Sequence, residues 1–123
     1  MLSDSTAFSG FAVDDLDAAR TFYGEKLGLE LADEGPGFVL ALNEGARPTL
    51  VYPRPGHVPA EYTILNFDVA DVEAEVDALT ARGVVFERYE GAQQDEKGIS
   101  HGLGPDIAWF KDPAGNILSI LKT

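Results

Sequence analysis

The chain has 123 residues, a formal net charge of -12 and no cysteine. That length suits one domain, and the missing thiols exclude disulfides, thiolate nucleophiles and cysteine-based metal sites. The charge excludes nucleic acid and anionic membrane as partners, since both are bound through Lys and Arg clusters that release counterions. Hydrophobic residues at 45% suffice for a core, and no run approaches the roughly 20 apolar residues of a membrane-spanning helix. The opening Met-Leu-Ser-Asp-Ser-Thr carries neither the basic stretch nor the apolar run of a signal peptide. A cytoplasmic location is the expectation.

Residues 7–13 read as a first strand, closed by Asp14-Asp15. Asp15 suits a helix N-cap, because its carboxylate can accept from the open N–H groups of the first turn. Leu16, Ala19, Phe22, Tyr23 and Leu27 recur at helical spacing, and Gly28 is placed to end the helix in the left-handed region. Strands are predicted at 29–33, 37–43 and 48–53, parted by Gly-Pro-Gly and Asn-Glu-Gly. Pro53–Glu61 is too rich in turn formers to continue a strand and reads as a connector. The pattern then restarts with a strand at 62–69, a cap at Asp71, a helical face of Val72, Val76 and Leu79, and Gly83. A strand is predicted at 84–89, followed by a polar, glycine-rich stretch at 90–105. Two last strands, 106–111 and 117–122, flank the turn Asp112-Pro113-Ala114-Gly115-Asn116.

The chain thus says nearly the same thing twice: Phe-Ala-Val-Asp-Asp-Leu at 11–16 and Phe-Asp-Val-Ala-Asp-Val at 67–72. Repetition at this interval points to one supersecondary unit used more than once. Strands interrupted by only two helices do not suit a doubly wound parallel sheet; they suit mixed sheets with helices on one face. The expected fold is α+β, a single domain over 1–123. It contains two βαβββ modules, about 5–53 and about 62–123, whose mixed sheets pair around a concave cleft with the helices outside.

Val13-Asp14-Asp15-Leu16, Phe22-Tyr23, Leu27-Gly28-Leu29 and the run Trp109–Asn116, in this order, resemble the glyoxalase/bleomycin resistance/dioxygenase superfamily, also called the vicinal oxygen chelate superfamily. The resemblance covers essentially the whole chain. Within it, Asp-Pro-x-Gly-Asn has a structural reason: Pro presets φ, while Gly and Asn tolerate positive φ in a tight hairpin. The resemblance implies a divalent metal held by His, Gln or Glu from the first strand of each module and from the last strand. Those positions fall on Phe8, Ile64 and Ser119, with Leu50 and Val51 in the corresponding strand of the first module. Phe and Ile have no lone pair to give, and a lone serine hydroxyl is a poor ligand, so no metal site is expected. A register shift of one would present Ala7 or Ser9, Thr63 or Leu65, and Leu118 or Ile120, which build no site either.

Phe8 at a metal-ligand position turns a coordination site into an apolar wall able to stack on a planar ligand. Phe38, Tyr52 and Trp109 lie on strands expected to line or border the groove, with Ile64 beside them. Asn66 and Ser119 could supply the few polar contacts that orient a ligand. Of the two histidines, His57 reads as a solvent-exposed loop residue. His101 lies in the stretch that resembles the segment closing over the cleft in relatives, as a ligand contact or a pH-sensitive gate. Asp14-Asp15 is explained by helix capping and Asp95-Glu96 by solvation, while Glu61 and Asp68 could lend the groove negative charge.

These residues describe a small-molecule-binding protein without metal, cofactor or catalytic residues. It would sequester an aromatic or cationic compound, as the bleomycin-binding members do. The resemblance also implies a homodimer. The alternative is a metal-dependent lyase, isomerase or dioxygenase, which needs ligands that these positions lack; a third is a groove that takes a protein partner.

Overall fold

Both helices begin where a carboxylate meets open backbone N–H groups. Asp15 accepts from Ala18 N, and Asp71 from Ala74 N, each at 3.0 Å, so the two capped turns of the repeat are chemically alike. The computed structural model describes residues 1–123 and divides into two units, Met1–His57 and Val58–Thr123. No helix is long and apolar enough to cross a membrane.

The first unit contains strands β1 (Ser9–Val13), β2 (Leu31–Glu34), β3 (Gly37–Leu42) and β4 (Arg47–Pro53), with helix α1 (Leu16–Arg20) after β1. The sheet order is β1-β4-β3-β2, with β1 parallel to β4 and the other pairs antiparallel. The helix expected to run to Leu27 instead opens into a π-helical turn at Thr21–Lys26, where Leu27 N–H donates to Phe22 O at 3.0 Å. The wider turn reconciles two adjacent aromatics on one buried side: Phe22 is 7% exposed and Tyr23 0%. Gly28 then ends the helical stretch at φ +71°, as its position predicts.

The pleat sends alternate side chains to opposite faces. Phe11, Val13, Phe38, Leu40 and Val51 share the face that α1 and the π-turn cover. There Tyr23 lies 5.8 Å from Phe11, and the Arg20 guanidinium sits 5.0 Å over the Phe38 ring. The opposite face presents Gly10, Ala12, Val39, Leu50 and Tyr52, matched across the strands by register.

The second unit repeats the plan with β5 (Thr63–Asp68), α2 (Val72–Ala81), β6 (Ile107–Lys111) and β7 (Ile117–Leu121). The order is β5-β7-β6, with β5 parallel to β7 and β6 antiparallel to it. Residues 84–89 stand where β2 stands in the first unit, yet they form one bridge, Phe86 to Phe110, rather than a strand. The reason is a side chain that takes over the ladder. The Gln94 amide accepts from Tyr89 N–H and donates to Glu87 O, both at 2.7 Å, consuming groups that further pairing would use.

Helix α2 packs on β6 and β7. Val72, Val76 and Leu79 from the helix are buried, as are Ala108, Phe110, Leu118 and Ile120 from the strands. The hairpin between β6 and β7 is built as its sequence predicts. Asp112 Oδ1 accepts from Ala114 N and Asn116 N, each at 2.9 Å, and Gly115 takes φ +87°.

Candidate binding face

The face of the second sheet away from α2 carries the largest set of the sequence-predicted site residues. Register places Trp109 opposite Ser119 and Ser119 opposite Asn66. One step further out, Glu87 N–H donates to Trp109 O at 2.8 Å. Glu87, Trp109, Ser119 and Asn66 therefore form one row across four chain segments, spaced by the usual roughly 4.8 Å between strands.

Each member of the row is held by a neighbour. Ser119 is fully buried, and its hydroxyl donates to Asn66 Oδ1 at 2.5 Å. That bond engages only the amide oxygen of Asn66, an exposed residue on the edge strand β5, and an amide carries two further N–H donors. Half-buried Trp109 meets Tyr89 edge to face, with centroids 5.5 Å apart and planes at 71°. Lys111 Nζ lies 3.4 Å from Glu87 Oε1, so the carboxylate beside the aromatic pair is already partnered. Burial, and then the Glu87 charge, push the Tyr89 hydroxyl above the usual phenol range, with Lys111 pulling the other way. At the far edge, the Thr123 hydroxyl and backbone N–H hold the Asp68 carboxyl below its ordinary value.

The remaining predicted residues lie elsewhere. Ile64 is half-buried at a β-bulge: Thr63 pairs with Ile117 and Leu65 with Leu118, leaving Ile64 as the extra residue. Tyr52 is on the face of the first sheet away from α1 and 40% exposed. Phe8 immediately precedes β1 and is 64% exposed, so the first strand begins later than predicted. Phe38 is corrected outright. It is fully buried on the helix-covered face beneath Arg20, a core residue with no surface for a ligand. His101 is bonded to Asp95 and Asp106 in the connection before β6 rather than placed in the row.

Tyr89 and Glu87 are the members that sequence reasoning missed. Alternation within 84–89 carries the signal, since Phe86 meets Phe110 on the covered face, with ring centroids 5.6 Å apart, and its neighbours must point the other way.

Chemically, the row offers a ring face, a ring edge and an amide donor. It offers no activated nucleophile, because the Ser119 hydroxyl bonds an amide oxygen, which is not a base. A metal does not fit the positions the sequence pointed to. Phe8 and Ile64 have no donor atoms, and the Ser119 hydroxyl is engaged with Asn66. No group of three or more His, Cys, Asp or Glu side chains gathers where it could hold a metal ion.

The family model described as glyoxalase/bleomycin resistance protein/dioxygenase superfamily matches residues 5–120. This chain belongs to that superfamily. The fold agrees with solved structures of superfamily proteins. One, a superfamily member from Sphaerobacter thermophilus DSM 20745, is 22% identical with a TM-score of 0.72, covering 99% of this chain and 100% of its own. TnmS3, an antibiotic binding protein from Streptomyces sp. CB03234, is 22% identical with a TM-score of 0.68 and covers 97% of each chain. A lactoylglutathione lyase from Agrobacterium tumefaciens is 23% identical with a TM-score of 0.68, covering 96% of this chain and 93% of its own. No curated protein matches the chain. Identities this low show a common fold; binding proteins and a lyase share it, so the site's own residues must carry the functional argument.

Proposed function

We propose that this protein binds a planar aromatic small molecule on the face of its second sheet away from α2 and sequesters it without a resident metal. The carrying observation is the row in which Trp109, braced by Tyr89, stands in register with Ser119 and Asn66. A ligand ring stacks on the indole while an acceptor on the same molecule takes the Asn66 amide N–H. The likeness to an antibiotic binding protein supports sequestration as the use of such a face. The acidity of the chain favours cationic ligands over anionic ones through long-range attraction. The reading includes a homodimer, which sedimentation at micromolar concentration tests separately, and a cytoplasmic location.

Trp109 is the lone tryptophan, so its fluorescence reports ligands directly. A panel of planar aromatic compounds, neutral and cationic, is expected to contain saturable quenchers. Tyr89→Ala and Asn66→Ala should each weaken the best of them about fivefold, as loss of an aromatic contact or a hydrogen bond worth about 1 kcal/mol implies. A tight quencher that both variants bind unchanged places the site elsewhere. In parallel, the protein is soaked in mixed divalent ions and desalted. A full equivalent of one metal retained would overturn the metal-free reading and put the lyase or dioxygenase alternative first.

A further inference from the structure

His101 stands between two carboxylates. Its Nε2 lies 2.8 Å from Asp95 Oδ2 and its Nδ1 3.0 Å from Asp106 Oδ1. A neutral imidazole carries a single N–H, so only the imidazolium donates to both acids; the neutral ring turns a lone pair toward one of them. With both nitrogens engaged, the ring has none left for a metal or for a substrate's proton.

The bonds around this ring differ sharply along the connection. The stretch before His101 is tied many times over. Asp95 Oδ1 accepts from Lys97 N and Ile99 N, and Gln94 donates to Gly98 O. Arg88 donates to Asp95 O and Glu96 O, and Ser100 Oγ donates to Ala92 O. The exposed tip Gly102-Leu103-Gly104-Pro105 has two glycines at positive φ, +84° and +128°, which are costly to hold in one conformation. The Ser100–Ile107 backbone pair, at 2.8 and 3.3 Å, closes the base of that tip, and above it the side-chain contact from His101 to Asp106 spans the tip itself.

We propose that Asp95, His101 and Asp106 form a pH-sensitive latch that orders the tip 101–106 above its backbone-paired base while the imidazole is protonated and loosens it when the proton leaves. The groups surrounding the latch are consistent with this. The nearby cations are spoken for: Arg88 by backbone carbonyls, and Lys97 by Glu73 and Asp77 of α2 at 2.7 and 3.0 Å. The hydrogen bonds from Asp95 and then Asp106 hold the His101 imidazole above its ordinary value, with burial opposing slightly. A raised value means that the latch contributes fully below the ordinary imidazole range of about 6.5 and is lost as pH rises through the folded value. At the acid end, burial would raise Asp95, but the bonds from His101, Ile99 N–H and Lys97 N–H outweigh it and hold the carboxyl low. The Asp95–His101 contact therefore persists into acid, and the latch opens toward alkaline pH.

The location gives the latch a consequence. Asp106 adjoins β6, which carries Trp109, and Gln94 in the same connection holds the backbone at Tyr89. Any effect on ligand binding rests on the function proposed above; the latch itself does not, and its test uses no ligand.

The test takes the full chain carrying His57→Gln, so that His101 is the sole imidazole. Its Cε1 proton is followed by NMR against pH, together with backbone order parameters for Gly102, Leu103 and Gly104. The midpoint is expected above about 6.5, with order parameters at the tip falling at the same midpoint toward the flexible range, below about 0.6. Asp106→Asn should lower the midpoint, and His101→Gln should leave the tip mobile at every pH. A midpoint at or below the ordinary value, or a tip whose order does not change across the midpoint, overturns the proposal.

Discussion

Phe38 and Trp109 show how a single position in a strand decides whether an aromatic joins the helix-covered core or stands on the opposite face of its sheet. Both were legible as strand aromatics, and both read equally well as groove residues. Register separates them: Phe38 pairs with Val51 on the face that α1 covers, and Trp109 pairs with Ser119 on the face away from α2. Phe38→Ala should therefore cost about 3–5 kcal/mol of stability in urea unfolding, the usual range for a buried phenylalanine, while ligand affinity of the folded fraction stays constant. A small stability loss with abolished binding would return Phe38 to the site. His101 makes the complementary point. Its proximity to Asp95 in sequence was visible, but the convergence of Asp106 from the far side of a glycine turn was not.

At the scale of elements, most boundaries followed from local chemistry. Both helix starts were carried by aspartate caps, the first helix end by Gly28, and the last hairpin by Asp-Pro-Ala-Gly-Asn. The two misreadings have tertiary causes. The π-turn at Thr21–Lys26 exists because Phe22 and Tyr23 must both be buried, and the strand at 84–89 is curtailed because Gln94 intercepts its backbone groups. Close approach within the first sheet yields a prediction at this scale. A Cβ added at Gly37 would clash with Val51 O, a backbone atom that cannot swing away. Gly37→Ala should disrupt the start of the β3–β4 pairing and cost at least the roughly 1–3 kcal/mol typical of overpacking. Urea titration checks this, and an unchanged midpoint would show that the strand slides freely at that point.

For the whole molecule, the repeat decides the architecture and acidity its response to solution conditions. Each unit places a parallel pair beside antiparallel neighbours, and β1-β4-β3-β2 is echoed by β5-β7-β6 with residues 84–89 alongside. The latch adds a pH dependence with a definite sign. Since His101 is held above its ordinary value, wild type should exceed His101→Gln in melting temperature at acid to neutral pH. That margin should shrink as pH rises through the folded value. Differential scanning at several pH values measures it, and a margin that grows with pH would show the imidazole to be favoured in its neutral form.

Caps, glycines, turn residues and the doubled motif act through neighbours in the chain, which is why the element order, the α+β class and the family were readable from the sequence. The face on which each aromatic stands, the Gln94 interception and the joining of Asp95, His101 and Asp106 depend on segments brought together from a distance. No local preference encodes which of two pleat faces a helix will cover, and no spacing rule says that a glycine turn will return a carboxylate to a histidine. Those choices are made by burial and by hydrogen-bond completion across the fold, and it is they that set the proposed binding face and the proposed latch.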